Sequence, residues 1–377
     1  ARRLQELDRR CAVLGVAMQV IPTASEIVGG AVKLGDITDV SEEDLMGRRS
    51  IPTDERQITD FIRGRRVLVT GAGGSIGSEL ARQLARYNPS RLVLPDRDES
   101  ALHALQLTLD GSGSLESPDL VLADIRDRDA VLRICEEVQP ALIFHSAALK
   151  HLPLLERFPE EAVKTNVLGT HNVLAAAEQV GVEGFINIST DKAADPTSVL
   201  GFSKLVGERL TAGAKPDSTA AYVSVRFGNV LGSRGSVIDT FRYQIAHGGP
   251  VTVTDERVSR YFMTISEAVH LLLQAAVLGR NGETLILDMG SPVSIVDVAR
   301  LMIQRSGRDI DIVFTGLRPG EKADEVLIGL DEAVERPLHP LIAHTRVSGI
   351  TMLDVGPLEV MKDPMSELRT LALGQDL

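Results

Sequence analysis

Short apolar runs recur along the chain, with room for one helix between each pair. The runs 66-RVLVT-70, 91-RLVLP-95, 119-DLVLA-123, 141-ALIFHS-146, 184-GFINIS-189 and 221-AYVSVRF-227 are strand-like. Helical stretches separate them near 75–87, 98–109, 127–138, 159–180 and 197–213. The runs are apolar throughout rather than alternating, as strands covered on both faces are. Right-handed crossovers then wind them into an α/β fold, a doubly wound parallel sheet. One further strand-like run, 284-TLILDM-289, comes late. The stretches 228–264 and 290–330 are richer in Gly, Pro and Arg. They are expected to form a smaller C-terminal substrate-binding lobe over the carboxyl ends of the strands, where open α/β sheets bind ligands.

The regular pattern starts only near residue 61. Segment 1–22 reads as a charged helix followed by a strand, the tail of a preceding domain. Residues 23–60 read as a linker carrying a short helix capped by Ser41. The organisation is therefore an N-terminal segment over 1–60, the sheet domain over 61–227 with a late strand near 284–289, mainly the lobe over 228–350, and a tail over 351–377.

Composition narrows the function classes. Of 377 residues, 44% are hydrophobic and 24% charged, as in ordinary globular proteins. No run of 18 apolar residues offers a membrane span. The net charge of −12 argues against nucleic acid and anionic membranes as partners. An anionic ligand must then be held locally, by arginines and backbone N–H groups. The two cysteines, Cys11 and Cys135, have no metal-ligand spacing, and a reducing cytoplasm suits them.

The first strand runs into 70-TGAGGSIGSEL-80, which opens a helix. Gly71 permits a tight turn, Gly74 lets backbone approach a pyrophosphate, and Gly77 lets the helix pack on the strand. Ser75 and Ile76 lie at the helix start, facing an anion. Asp96 ends the second strand nineteen positions after Gly77, where a carboxylate takes adenosine ribose hydroxyls. This favours NAD over NADP, although Arg97 could accept a 2′-phosphate. Asp124 and Ile125 end the third strand near the expected adenine; a plain strand-end carboxylate is the competing reading for Asp124. Ala147 and Ala148 end the fourth strand, where the cofactor backbone should pass. The sheet domain is thus a Rossmann domain.

TGAGGSIG, 145-HSAALKH-151, 165-TNVLGT-170, 189-STDKA-193, 226-RFGNVLGSRGSV-237, 260-RYFMT-264 and 318-RPGEK-322 occur in this order. The set resembles the extended short-chain dehydrogenase/reductases, and more narrowly the UDP-N-acetylglucosamine 4,6-dehydratases of the long, membrane-anchored polysaccharide-biosynthesis type. That resemblance implies a soluble catalytic portion, the cytoplasmic part of an inner-membrane protein, acting as a homo-oligomer in surface glycan biosynthesis. It also implies internal redox. Bound NAD takes a hydride from sugar C4, the ketone acidifies C5–H, the C6 hydroxyl leaves as water, and the hydride returns to C6.

In short relatives a tyrosine four residues before the family lysine serves C4. Here the lysine is Lys204, placed by the resemblance on the nicotinamide ribose, and the tyrosine position is Leu200. None of Tyr87, Tyr222, Tyr243 and Tyr261 is followed by lysine four residues later, so no register shift restores the pair. The catalytic candidates are therefore Thr190, Asp191 and Lys192. Asp191 is the proposed acid at C6. Lys192 is the proposed base at C5, its pKa lowered by Lys204 and the nicotinamide. Thr190 hydrogen-bonds the C4 hydroxyl, and the group receiving the C4 proton is unassigned. The bland alternative for Asp191–Lys192 is an exposed ion pair past a strand.

At the substrate end, Asn229 is a candidate for the sugar, Arg260 and Arg318 for the diphosphate, and Glu321 for the uridine ribose. Lys150 and His151 are candidates facing the sugar; His151 has no partner at metal-ligand spacing, and no metal is expected. A 4- or 5-epimerase on the same fold and a non-catalytic NAD-binding regulator are the competing functions.

Overall fold

The computed structural model describes residues 53–351 apart from 112 and 216–218, residues 363–374, and a few isolated positions before 53. The helix expected after Ser41 lies outside the described residues.

Among the described residues, nine strands form the central sheet. They are β1 (Arg66–Thr70), β2 (Arg91–Asp96), β3 (Leu120–Leu122), β4 (Leu142–His145), β5 (Gly184–Thr190), β6 (Ala221–Phe227), β7 (Glu283–Leu287), β8 (Glu335–His339) and β9 (Ile342–Arg346). Their order is β8–β9–β7–β6–β5–β4–β1–β2–β3. The seven strands from β7 to β3 are parallel to their neighbours. β9 runs antiparallel to β7 and pairs with β8 as an edge hairpin. The late run near 284–289 joins the sheet as β7, and a hairpin that the apolar pattern did not signal extends it further.

Period two along each strand builds two core faces. Val67, Val69, Phe144, Ile186 and Val225 point to one face, where they meet α1 (Glu55–Ile62), α2 (Ser75–Ala85) and α3 (Ile265–Leu278). Leu68, Ile143, Phe185 and Tyr222 point to the other, against α4 (Val199–Gly213) and its neighbours. Helix α5 (Pro364–Leu373), within the expected tail, lays Leu368 and Ala372 on this second face. A third cluster, centred on Phe241, Val251, Val253 and Met302, is the core of the lobe. The lobe also contains short strands, among them Asn229–Leu231 paired with Phe262–Thr264. Among the described residues no helix is long and apolar enough to cross a membrane.

Most helices start on a side-chain cap. Ser198 accepts from the Gly201 N–H at the start of α4, and Thr264 closes a capping box on α3. Helix α2 differs: its N-cap is Gly74, and no side chain accepts its first N–H groups. Those donors point to the switch between β1 and β4, where the strand order reverses and a doubly wound sheet opens a crevice.

Candidate functional site

At the switch point the end of β1 and the loop after β4 touch. Gly71 has φ +67°, and a Cβ there would stand 2.6 Å from the Cα of Ala147. At Gly77 a Cβ would stand 2.1 Å from the Gly71 carbonyl oxygen. Both positions therefore exclude side chains. The turn leaves a cleft of about 240 Å³, lined by Gly71, Gly74, Asp96, Asp124, Ile125, Ala147 and Ala148 among others. Asp96 is fixed at its rim: Oδ2 accepts from the Gly73 N–H at 2.8 Å and Oδ1 from the Asp98 N–H at 2.9 Å. Asp124 is clasped by Arg126, whose Nε donates at 2.8 Å and whose terminal nitrogen donates at 2.6 Å.

A second cavity of about 550 Å³ continues from the first. Ser75, Ile76, Gly77, Lys150, His151, Thr190, Lys192, Leu200, Lys204 and Asn229 contribute to its wall. At its base, Thr190 ends β5 and a single 3-10 turn, Asp191–Ala193, follows. Asp191 is fully buried and stands behind its two neighbours. Its Oδ1 accepts from Thr190 Oγ1 at 2.8 Å and from Lys192 Nζ at 2.9 Å. Its Oδ2 is buried without a partner. Lys192 Nζ also donates to Asn229 Oδ1 at 3.3 Å and lies 3.7 Å from Glu325. The exposed surface pair is thus not what forms: the Lys192 side chain is 19% exposed and Asp191 is sealed.

The charge environment of Lys192 differs from the sequence expectation. Burial alone would lower its pKa, but the carboxylates of Asp191 and Glu325 outweigh burial and hold the amine above its ordinary value. Arg260 opposes them, and Lys204 is not among the groups that act on it. The lowered pKa belongs to Lys204 instead. That amine is buried, donates to the Ile188 carbonyl at 2.6 Å, and burial brings it to about 8 against a partial offset from Glu208.

A stability prediction follows. The unfolded amine has the ordinary value of 10.5 and the folded one about 8. Below pH 8 both states are protonated and the fold carries the full cost of the buried charge. From 8 to 10.5 the folded form sheds its proton first, and stability rises. Lys204→Met is therefore expected to stabilise the ligand-free protein by about 1–2 kcal/mol at pH 7, net of the lost bond to Ile188. Urea titrations at pH 7 and pH 10 should show the gain shrinking at the higher pH.

The remaining candidates divide. Asn229, Lys150 and His151 join the cavity wall. Arg260, Arg318 and Glu321 do not. The Arg260 guanidinium is occupied by the carbonyls of Ser259, Lys322 and Ala323 and by Glu321 at 3.2 Å. Glu321 also accepts from Thr254, and Arg318 is exposed. These residues tie the RPGEK segment to the lobe. Leu200 is 5% exposed, a packed side chain that also forms part of the cavity wall. His145 is a neutral structural histidine: burial and Lys204 push it down to about 3, between the hydroxyls of Thr70 and Thr170.

Three features went unread in the sequence. Glu325 is buried beside Lys192, with Oε2 unpartnered. Arg234 lines both cavities. Arg226, wholly buried on β6, is held by Glu208 at 2.6 Å and Glu332 at 2.7 Å. Arg226 and Arg234 fall inside the stretch 226-RFGNVLGSRGSV-237, but only the fold shows what each of them touches, and Glu325 carries no sequence signal.

With this geometry in view, the sequence profile of the polysaccharide biosynthesis protein family matches residues 67–346. The probable polysaccharide biosynthesis protein EpsC of Bacillus subtilis is 43% identical, over 90% of this chain and 57% of its own length. The chain thus spans less than two thirds of that relative. An inverting UDP-N-acetylglucosamine 4,6-dehydratase of Campylobacter jejuni is 30% identical over 72% of this chain and 80% of its own. A UDP-glucose 4-epimerase of Rickettsia prowazekii is 34% identical over 71% and 78%. Among solved structures, Pen from Bacillus thuringiensis superposes with a TM-score of 0.70 at 34% identity, covering 76% of this chain and 88% of that one.

Proposed function

The chain belongs to the polysaccharide biosynthesis protein family, and from that premise we propose that it is an NAD-dependent nucleotide-sugar 4,6-dehydratase acting on UDP-N-acetylglucosamine. The observation that carries this reading is the set Thr190, Asp191 and Lys192 at the base of a cavity continuous with the glycine-turn cleft. The dehydratase relative supports the reaction class.

The residues present fit a dinucleotide. Gly71 and Gly77 have no room for side chains, the first turn of α2 is uncapped, and Asp96 is oriented by two backbone donors. A 2′-phosphate would meet the Asp96 carboxylate, which supports NAD. Bound there, the nicotinamide would accept the hydride from sugar C4 and return it at C6.

The chain's own part is proton transfer. The resting pair is an ammonium on Lys192 and a carboxylate on Asp191, 2.9 Å apart. Moving one proton from Nζ to Oδ1 yields a neutral amine and a carboxylic acid, the base and acid that elimination requires. The amine takes the C5 proton. The acid's proton reaches the cavity through Thr190 Oγ1, which lies 2.8 Å from Oδ1 and lines the wall, and leaves with the C6 hydroxyl as water. The ion pair is then restored; as C6 is reduced, the Lys192 ammonium gives a proton back to C5, and the proton released by the C4 hydroxyl balances the one that C5 gains. Asn229 holds the Lys192 amine toward the cavity floor.

Intact-mass analysis of UDP-N-acetylglucosamine incubated with the protein tests the proposal. Loss of one water, with solvent deuterium at the C5 position, is the expected result. An isomer of unchanged mass would make the protein an epimerase. Bound NAD with no turnover of any UDP-sugar would make it a regulator.

A further inference from the structure

The two cavities meet at a neck whose residues line both: Gly74, Ser146, Ala148, Leu149 and Arg234. Four of these are neutral. Arg234 alone brings a charge, and it arrives from the loop between the short strand Asn229–Leu231 and the helix Val237–Ala246.

That loop is clipped across the glycine-rich turn from several sides. The Arg234 N–H donates to Ser75 Oγ at 3.1 Å. Its guanidinium donates to the Gly73 carbonyl at 3.1 Å. Its own carbonyl accepts from Lys150 Nζ at 2.8 Å. Gly232 and Gly235, at φ +74° and +69°, bend the loop at either end of this crossing. A Cβ on Gly235 would stand 2.8 Å from the His151 ring.

The chemistry of the neck calls for a cation. A dinucleotide crossing from one cavity to the other must place its pyrophosphate here, and 70-TGAGGSIGSEL-80 contains no basic residue. The uncapped N–H groups of α2 cover only one side of that dianion. Asp96, Asp98 and Asp124 line the neighbouring cleft against Arg97, which lies 3.8 Å from Asp124, and the chain carries a net charge of −12. A guanidinium on the opposite side supplies two directed charge-assisted hydrogen bonds where, among the described residues, no other cation lines both cavities.

We propose that residues 232–236 form a strap over the cofactor pyrophosphate, with Arg234 as the residue that retains the dinucleotide. This rests on the dinucleotide reading above and adds a reason for the loop. A reaction that removes a hydride at C4 and returns it at C6 fails if the reduced cofactor escapes between the two transfers. A clasp on the phosphates, remote from the reacting atoms, slows escape without touching the chemistry.

Calorimetric titration of the 377-residue chain with NAD and, separately, with UDP tests the strap. Arg234→Ala should weaken NAD binding about 10–100-fold, the worth of charge-assisted hydrogen bonds. It should leave UDP affinity within about twofold, since its guanidinium contacts the glycine turn and not the Arg260–Glu321 pair. Arg234→Lys should fall between, keeping charge but losing the fork. Stopped-flow release should show the change mainly in the dissociation rate. Unchanged NAD affinity in Arg234→Ala overturns the proposal. So does a loss of UDP affinity as large as that of NAD, which would assign Arg234 to the sugar-nucleotide diphosphate. Failure of the unaltered protein to bind NAD or NADP would instead overturn the dinucleotide reading itself.

Discussion

Replacing Lys192 with alanine should lower turnover of UDP-N-acetylglucosamine about 10²–10⁴-fold, the range a positioned proton-transfer group contributes. NAD should still bind, because Lys192 contacts Asp191, Asn229 and Glu325 rather than the glycine turn. The same change has a structural cost. It leaves Asp191, fully buried, and Glu325, 6% exposed, without their shared cation. Removing one partner from such a cluster costs about 3–5 kcal/mol. Lys192→Arg separates the two effects. A guanidinium can pair with the same carboxylates but does not give up its proton near neutral pH. The arginine variant should therefore keep stability and NAD affinity close to the parent while losing turnover as alanine does. Single-turnover assays beside NAD titrations read both quantities. Near-normal turnover in either variant would remove Lys192 from the chemistry.

The second large effect is expected at Arg226. Its guanidinium is wholly buried and forks onto Glu208 through Nε at 3.1 Å and Nη2 at 2.6 Å. It also holds Glu332 and the Leu327 carbonyl. Glu208 in turn accepts from Ser189, the residue before Thr190, and lies one helical turn beyond Lys204. One buried cation thus joins β6, α4, the end of β5 and the segment that carries Glu325. Arg226→Met should destabilise the fold by about 3–5 kcal/mol, because Glu208 is left charged and unpaired in the core. Adding Glu208→Gln should recover more than about 1 kcal/mol of that loss, since the two substitutions share one interaction. Urea midpoints at constant m would report both. A single-variant loss below about 1 kcal/mol would show that the neighbouring polar groups hold the segment without Arg226.

The parts of the site that could be read in advance are consecutive in the chain or set by a short repeat. The glycine turn needs only a strand before it and a helix after it, and Thr190, Asp191 and Lys192 share one turn at a strand end. Asp96 follows from counting along a βαβ unit. The edge hairpin 335–346 was not legible, because ERPLH and IAHTR carry few apolar residues and β8 faces solvent. Glu325 and Arg234 were not legible either. Each reaches its partner across more than eighty residues of chain: Glu325 carries no local signal, and Arg234 sits within the motif 226–237, whose spacing does not reveal its contacts.

What the sequence determined by itself is the doubly wound sheet, the place of the glycine turn, and the absence of a phenol at position 200. All three follow from local periodicity and residue type. Only the tertiary structure decided which lysine carries which pKa. Lys192 comes to rest between two buried carboxylates and is held as an ammonium, whereas Lys204, buried with a single opposing carboxylate, is brought to about 8. The two side chains are chemically identical. Their difference is made by charges brought from remote segments into a poorly solvated interior, where Coulomb interactions are weakly screened and depend on distance in space rather than along the chain.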